Sequence, residues 1–146
     1  PSYVLSVKDS GGSDKLLVAT GGDIIASASG PTSVYSLGYR GTPLNNQPNT
    51  YTFVLADAGS LVQHNSASAH AYTIPPNSSV AFPLGTVIPI LNPNGGGELT
   101  VVEGSGVTLR RGDGVAGTGT RTITANGLAA IEKIDTNEWY CTGIFT

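Results

Sequence analysis

Glycine and proline recur so often along this chain that few segments are long enough for a helix of several turns. The 146 residues include 20 Gly and 9 Pro. In a helix interior, Gly costs about 1 kcal/mol relative to Ala and Pro costs about 3 kcal/mol. Ser, Thr, Asn, Val and Ala dominate the remainder, and these residues suit short strands and turns. No window of about 11 residues has a helical hydrophobic period, so the sequence predicts an all-β fold.

Short apolar or alternating segments, separated by turn residues, predict the strands. They cover residues 3–7, 16–19, 51–55, 61–64, 71–74, 99–102, 107–109, 120–124, 128–134 and 139–145. Two further apolar runs, 80–82 and 87–91, contain or border proline, and proline in a strand indicates an edge or a bulge. Alternation places Tyr51, Phe53 and Leu55 on one face of their strand.

The C-terminal third has the strongest turn signals. Asn126-Gly127 is the dipeptide most typical of a two-residue hairpin turn. Before it, alternation places Arg121 and Ile123 on the same strand face. After it, the turn at residues 135–138 predicts a closing hairpin that puts Trp139 in or beside the core.

A cluster of Pro and Asn at residues 43–49 is the predicted domain boundary. Residues 1–48 are predicted to form an extended N-terminal arm or a loose set of strands, because they have too few apolar residues for a core. Residues 49–146 are predicted to form a compact β-sandwich or barrel-like domain of short antiparallel strands. A chain of this length can bury about 70% of its unfolded surface around one core.

The charge pattern argues against nucleic acid as a partner. The net charge is −3, and the seven Lys and Arg residues are scattered, with Arg110-Arg111 as the only doublet. Domains that bind nucleic acid usually carry a basic patch. No apolar stretch reaches the roughly 18 residues of a membrane span, so no membrane association is predicted.

The low content of charged residues indicates a covered surface. Such residues make up only 12% of the chain, about half the usual share. This predicts an oligomer or a larger assembly; the alternative is a secreted monomer rich in Ser and Thr. Cys141 is the only cysteine, so no intrachain disulfide is possible and little indicates an oxidising compartment. The chain begins with Pro1 and lacks a signal-peptide pattern, so a whole gene product without its initiator Met is expected.

Two short motifs have a functional and a structural interpretation, and the structural one is favoured for both. Residues 111–113 spell Arg-Gly-Asp, a tripeptide that some adhesive proteins present to receptors, but Arg-Gly-Asp-Gly is also ordinary turn chemistry. The glycines at 112, 114 and 117 fit G-x-G-x-x-G. A dinucleotide site needs a helix after that loop, and residues 118–124 indicate a strand instead.

The two histidines, His64 and His70, are candidates to share a metal ion with a carboxylate such as Asp57. Their spacing is not diagnostic, and structural zinc usually takes four ligands. In a symmetric trimer, one His from each subunit could also meet on the axis. The favoured interpretation is that both are hydrogen-bonded surface or interface residues. Cys141 shares a predicted strand face with Trp139 and is expected to be a buried, inert thiol.

Acidic and aromatic side chains offer a carbohydrate site as a further alternative. Any two carboxylates could form a glycosidase pair, but most lie at predicted turns, and one small domain leaves little room for a long groove. The carboxylates are Asp9, Asp14, Asp23, Asp57, Asp113, Asp135, Glu98, Glu103, Glu132 and Glu138. The aromatic residues could form a sugar-stacking platform, but most occupy positions that a core would use. No catalytic, cofactor-binding or metal-binding residue is therefore assigned.

Three segments resemble recurring sequences of bacteriophage and prophage virion proteins. They are residues 51–59 (YTFVLADAG), 73–86 (TIPPNSSVAFPLGT) and 136–139 (TNEW), and residues 37–43 (LGYRGTP) are similar to the lead-in of such proteins. The order of the segments is similar as well, so the resemblance covers roughly residues 37–146. Modules of this kind occur in tail-fibre-like and head-associated proteins, and the resemblance implies no catalytic residues and no cofactor.

The resemblance implies a non-enzymatic structural protein of the virion, and the short chain and low charge favour a capsid decoration, cement or head-fibre protein. Such a protein would be made in the host bacterial cytoplasm and would bind the major capsid protein at the capsid surface through residues 1–36. It would associate with itself as a homotrimer. The alternative is a tail-fibre or tail-tip module that recognises host surface glycans, and an enzyme such as a small depolymerase is a third interpretation.

Overall fold

The computed structural model describes the backbone of residues 3–8, 10–12, 14–19, 24–27, 34–36 and 42–146, and the side chains of residues 10–12 and 42–146. Residues 37–41 of the lead-in segment, and the carboxylates of Asp9, Asp14 and Asp23, lie outside this description. The chain divides into two compact units, Pro1–Gly41 and Thr42–Thr146. Regular structure in the described residues is strand apart from one 3-10 turn, Leu55–Asp57, which confirms the all-β prediction.

The smaller unit contains one antiparallel sheet of four strands. They are β1 (Tyr3–Lys8), β2 (Asp14–Ala19), β3 (Ile24–Ser27) and β4 (Val34–Ser36). The strands lie side by side in chain order, β1-β2-β3-β4. Adjacent strands in the sequence are therefore neighbours in the sheet, as short turns between antiparallel strands allow.

The larger unit contains two sheets. Its strands are β5 (Leu44–Gln47), β6 (Tyr51–Thr52), β7 (Leu61–His64), β8 (His70–Ile74), β9 (Val87–Asn92), β10 (Leu99–Glu103), β11 (Thr108–Arg111), β12 (Arg121–Ile123), β13 (Gly127–Asp135) and β14 (Glu138–Gly143). One sheet has the order β12-β10-β8-β6, and the other has the order β11-β14-β13-β9-β7-β5. We placed β5 in the N-terminal segment, but it pairs here with β7.

The strand pairing is mixed, so the prediction of antiparallel strands is corrected. From β5 to β13 the chain changes sheets after every strand. Each circuit of the chain thus consists of one strand in each sheet, and strands of successive circuits in one sheet run in the same direction. As a result β5, β7 and β9 pair in parallel, as do β6, β8 and β10. Antiparallel pairing joins β13 to β9 and to β14, and β10 to β12. Local turn signals could not reveal this, because each parallel pair joins strands that are separated in the chain by at least one strand of the other sheet.

Both sheets contribute to one hydrophobic core. The core side chains on strands are Tyr72, Ile74, Leu99, Val101 and Ile123 from the four-stranded sheet, and Val62, Ile88, Ile90, Leu109, Ala129, Ile131, Trp139 and Cys141 from the six-stranded sheet. Complete burial of a large apolar side chain contributes about 1.5–3 kcal/mol. Trp139 is only 1% exposed and packs edge-on against Phe82 at 5.4 Å between ring centroids. The closing hairpin of β13 and β14 and the core position of Trp139 are therefore confirmed.

We predicted a strand over residues 51–55 with Tyr51, Phe53 and Leu55 on one face, and this prediction is wrong beyond Thr52. The strand β6 ends at Thr52, and Phe53 is buried, but Leu55 is exposed because a 3-10 turn begins there. The cause is Asp57, whose side chain accepts a hydrogen bond from the backbone N–H of Val54 and closes the turn. The hydrogen bond from Val54 to Asp57 therefore outweighs the preference of the alternating apolar residues for a strand.

Pro89 lies in an interior strand, whereas we expected an edge or a bulge. Strand β9 is flanked by β13 and β7. Its ladder with β7 consists of Val62–Ile90 and Gln63–Leu91 only. Pro89 comes directly before these residues, so its missing N–H falls where that ladder ends.

The Asn126-Gly127 turn forms, but it does not join two paired strands. Asn126 has a φ of 64°, and the N–H of Gly127 donates to the carbonyl of Thr124 at 2.9 Å. Strand β12 before the turn pairs with β10, and β13 after it lies in the other sheet. A Cβ at residue 127 would lie 2.7 Å from Cγ2 of Ile123, so glycine is also needed here for close packing. The predicted shared face of Arg121 and Ile123 is confirmed, since both are buried.

Within the described residues, no helix has the length and apolar character needed to cross a membrane.

Candidate functional site

Asp57 is a buried carboxylate that ties the first two strands of the larger unit together. One of its oxygens accepts a hydrogen bond from Nδ2 of Asn45 on β5 at 2.8 Å. The other accepts from the hydroxyl of Tyr51 on β6 at 2.9 Å and from the N–H of Val54 at 2.8 Å. Burial and the Asp57 carboxylate raise the pKa of Tyr51, which keeps its hydroxyl protonated as a donor. The carboxylate of Asp57 is therefore hydrogen-bonded to these three groups and does not join His64 and His70 in a shared metal site.

His64 and His70, the two candidate metal ligands, do meet. Nε2 of the wholly buried His64 lies 3.1 Å from Nδ1 of the half-buried His70, and the rings pack edge to face. Nδ1 of His64 lies 3.1 Å from Oδ1 of Asn92. Both ring nitrogens of His64 are thus occupied by protein partners. Among the residues whose side chains are described, no three His, Cys, Asp or Glu are grouped so that they could hold a metal ion.

The hydrogen bonds of Asn92 determine which nitrogen of His64 donates to it. Nδ2 of Asn92 donates to the carbonyls of Gly97 at 2.8 Å and Ile123 at 2.7 Å, so its Oδ1 must accept. Nδ1 of His64 is therefore the donor to Asn92, and Nε2 of His64 shares its hydrogen bond with Nδ1 of His70. The network joins β7, β8 and β9 to the start of the Asn126 turn, which is a structural role.

Residues 73–86 contact a buried lysine and are linked to residues 136–139. Nζ of Lys133 donates to Oδ1 of Asn77 at 2.6 Å and to the carbonyl of Phe82 at 2.7 Å. The N–H of Asn77 donates to Oδ1 of Asn137 at 2.8 Å. Burial lowers the pKa of Lys133. The Pro-Pro-Asn segment and the Thr-Asn-Glu-Trp segment are therefore linked by a hydrogen bond from the backbone of Asn77 to the side chain of Asn137.

The charged side chains of the Arg-Gly-Asp tripeptide form an ion pair with each other. Nε of Arg111 lies 3.1 Å from each carboxylate oxygen of Asp113, and its Nη2 pairs with the same carboxylate. The Arg111 guanidinium lowers the pKa of Asp113 to about 2. The other member of the basic doublet, Arg110, is also paired, with Glu138 at 2.6 Å. Each of these arginines is neutralised by a carboxylate of its own chain.

Phe145 contacts two arginines. The guanidinium carbons of Arg111 and Arg121 are 5.4 Å and 5.8 Å from its ring centroid, within the range of a cation–π contact. Arg121 is 5% exposed and donates to the carbonyls of Leu109 and Gly117. Its Nε has no hydrogen-bond partner among the described residues.

Cys141 and the glycine-rich loop have structural positions. Burial raises the pKa of the Cys141 thiol to about 12, so the nucleophilic thiolate is scarce at neutral pH. The glycines at 112, 114 and 117 lie in the connection from β11 to β12, with no helix after them. The loop therefore lacks the helix N-terminus that a dinucleotide site uses.

The outer face of the six-stranded sheet is mainly apolar on β5, β7, β9 and β13 and polar on β11 and β14. The polar side chains that are exposed or half-buried on the first four strands include Asn46, Gln63, Glu132 and, at the end of β13, Asp135. The apolar members of this surface, which we name the apolar face, are Leu44, Leu61, Val87, Pro89, Leu91, Leu128, Ala130 and Ile134. Cross-strand pairing places Leu44 beside Leu61, Leu91 beside Leu128, and Pro89 beside Ala130. Leu128 is 53% exposed and Leu44 is 54% exposed.

The outer face of the four-stranded sheet has the opposite character. It presents four threonines and two small or β-branched apolar residues. They are Thr52, Thr73, Thr100, Thr122, Ala71 and Val102. Thr52 pairs with Thr73, and Thr100 pairs with Thr122. A row of hydroxyl groups is suited to solvent, so the contrast singles out the apolar face as a surface to be covered.

An open groove borders the apolar face on strands β13 and β14. It is lined by Arg111, Gly112, Gly114, Glu132, Ile134, Tyr140 and Thr142. Tyr140 lies half-buried between Arg110 and Glu132 in one cross-strand row. Most other aromatic residues of the unit, including Tyr51, Phe53 and Tyr72, pack against one another inside.

No protein-family model matches this chain. A search of curated proteins also finds no match.

Our sequence reasoning missed the apolar face, although one signal was present. Residues 87–91 of β9 are apolar at every position rather than at alternate positions. Such a run is typical of a strand that is covered on both faces. The histidine–asparagine network had no comparable signal, because its members are brought together by strands of different circuits.

Proposed function

We propose that this chain is a non-enzymatic structural protein of a phage virion: a capsid decoration, cement or head-fibre protein that binds and stabilises the assembled capsid. The observation that carries the proposal is the apolar face, since a surface of this kind is expected on a component of an assembly. The low content of charged residues supports it. The resemblance of residues 37–146 to virion modules supplies the type of assembly.

The polar side chains of the interior support a structural role. Asp57, His64, Asn92 and Lys133 each bridge strands or loops that are distant in sequence. Buried polar groups with satisfied hydrogen bonds help to specify one arrangement of strands. A protein that must keep its shape on a particle surface benefits from such cross-links.

We further propose a sandwich architecture for the larger unit, with its two sheets facing each other across the shared core. Residues 1–48 would contribute attachment to the major capsid protein. A homotrimer is the expected oligomer, from the resemblance and from the symmetry of virion sites. The protein would be made in the host bacterial cytoplasm and act at the capsid surface.

The mechanism would be thermodynamic linkage. A protein that binds the assembled capsid but not its free subunits stabilises the assembly, by about 2.7 kcal/mol per site at a concentration one hundred times its dissociation constant. No covalent bond is made or broken, so the effect depends on the concentration of the protein relative to its dissociation constant.

Quantitative mass spectrometry of purified virions tests this proposal. A ratio near one chain per major capsid subunit, or a simple fraction of it, supports a head protein. A handful of copies per particle contradicts it and moves the protein to the tail.

Recognition of host glycans is the second candidate function, and the groove beside Tyr140 favours it. An aromatic ring flanked by a carboxylate and a hydroxyl is a common way to hold a sugar ring. Glycan-array binding by the purified chain, lost in Tyr140→Ala and retained in a Tyr51→Phe control, would support a tail-fibre or tail-tip module. Absence of binding would leave the groove without a ligand role.

A further inference from the structure

We infer that the Asn94-Gly95 turn is a site of spontaneous covalent modification, at which the Asn94 side chain loses ammonia and becomes aspartate or isoaspartate. The inference does not depend on the proposed function. The sequence contains a second Asn-Gly dipeptide, Asn126-Gly127, which is a natural comparison because the two dipeptides are chemically identical. Their surroundings in the structure give them different reactivities.

The reaction needs only the chain itself and water. The backbone nitrogen of Gly95 gives up its proton to solvent and attacks Cγ of Asn94. The Cγ–Nδ2 bond breaks as Nδ2 takes up a proton and leaves as ammonia. Water then opens the cyclic imide at either of its carbonyls, which gives aspartate or isoaspartate. Glycine favours the ring closure because no Cβ obstructs the approach of its nitrogen.

Asn94 and Gly95 are the central residues of an exposed turn between β9 and β10. The N–H of Gly96 donates to the carbonyl of Pro93 at 3.0 Å and closes this turn, and Gly95 has a φ of 79°. Within the part of the chain that the structure describes, the N–H of Gly95 and the amide of Asn94 have no hydrogen-bond partner. Both reacting groups can therefore approach each other without giving up a hydrogen bond of their own.

The nitrogen of Gly127 is held in place. Its N–H donates to the carbonyl of Thr124 at 2.9 Å, and Gly127 is buried at the start of β13. A Cβ at residue 127 would lie 2.7 Å from both Cγ2 of Ile123 and the carbonyl oxygen of Thr124, so the backbone has no room to turn. We expect Asn94 to react at least tenfold faster than Asn126, a ratio that corresponds to about 1.4 kcal/mol of activation free energy.

The modification changes the charge of the surface and leaves the core intact. It adds a negative charge to a chain whose net charge is −3, at the edge of the pocket that His64 helps to line. The nearby side chain of Asn92 donates to the carbonyls of Gly97 and Ile123, and neither of these bonds involves the reacting turn. The modified protein should therefore stay folded, so ion-exchange chromatography can resolve it as an acidic species.

Peptide mapping by mass spectrometry tests the inference on the full chain, incubated at mildly alkaline pH either folded or unfolded in urea. In the folded chain, the peptide that contains Asn94 should convert at least tenfold faster than the peptide that contains Asn126. In urea the two peptides should convert at similar rates. A methyltransferase that recognises isoaspartate should label the acidic species of the folded sample.

Two variants serve as matched controls. Asn94→Gln should not form the acidic species, because the longer side chain closes its ring much more slowly. Asn126→Gly, which suits the φ of 64° at that position, should form it like the wild type. Circular dichroism before and after incubation shows that the rates belong to the folded chain. Equal rates for the two dipeptides in the folded chain overturn the inference, as does an Asn94 peptide that converts only in urea.

Discussion

Nδ1 of His64 and Oδ1 of Asn92 lie 3.1 Å apart, and both side chains are completely excluded from solvent. The amide of Asn92 faces two backbone carbonyls with its nitrogen and a histidine with its oxygen. Every polar atom of the Asn92 amide therefore has a partner. This pair is the centre of the network that joins the two sheets.

Asn92→Asp should be strongly destabilising. The change replaces the Nδ2 donor by an oxygen, so the carbonyls of Gly97 and Ile123 lose their partner and a charge is buried beside them. Breaking a buried polar network of this kind typically costs about 3–5 kcal/mol. Urea unfolding followed by Trp139 fluorescence measures the difference. Asn94→Asp, in the exposed part of the same loop, is the matched control and should change the midpoint little.

Tyr51 and Asp57 should be energetically coupled through their 2.9 Å hydrogen bond. We expect Tyr51→Phe to cost about 1 kcal/mol and Asp57→Ala about 3 kcal/mol, because Asp57 also satisfies Asn45 and Val54. The double variant should be less destabilised than the sum by about 1 kcal/mol. Additive costs would mean that the bond contributes nothing. Tyr51→Phe combined with a change at Phe145, whose ring contacts Arg111 and Arg121 instead, should be additive.

Stability should fall above pH 9 because of Cys141. In the unfolded chain the thiol ionises near its ordinary value of 9.0, whereas in the folded protein its pKa is about 12. Between these values the folded state binds more protons, so the free energy of unfolding decreases by at most about 1.4 kcal/mol per pH unit. The raised pKa values of Tyr51 and Tyr72 act in the same direction above pH 10, and the lowered pKa of Lys133 opposes them.

Denaturant titrations at a series of alkaline pH values measure this slope. Cys141→Ala should be less stable at neutral pH, because it leaves a small cavity, but it should have a shallower decline above pH 9. An unchanged slope would show that the thiol does not contribute. At neutral pH, the native thiol should react with a disulfide reagent only at the rate of unfolding.

Phe145→Leu should reveal the contribution of its two arginine contacts. Leucine keeps most of the apolar contact but removes the ring, so we expect a loss of about 0.5–2 kcal/mol. Phe145→Ala should lose about 3 kcal/mol, because packing is removed as well. Ile144→Ala, the exposed neighbouring residue, is the control. Equal stability of the leucine variant and the wild type would show that the two cation–π contacts contribute nothing.

The positions of several strands and side chains were determined by the sequence itself. Strand β7 was predicted with its observed bounds, and alternation placed Arg121 and Ile123 on one face. The closing hairpin and the buried Trp139 were also predictable. Periodicity and turn chemistry act between residues a few positions apart, so a single sequence contains this information.

The tertiary structure decided which strands pair and which surfaces remain exposed to solvent. The parallel pairing of β7 with β9, the interior position of Pro89 and the separation of β12 from β13 all depend on partners from other circuits of the chain. The same applies to the contact between His64 and Asn92 and to the apolar face. Pairing energy depends on which segments meet across the shared core, and no local pattern encodes that choice.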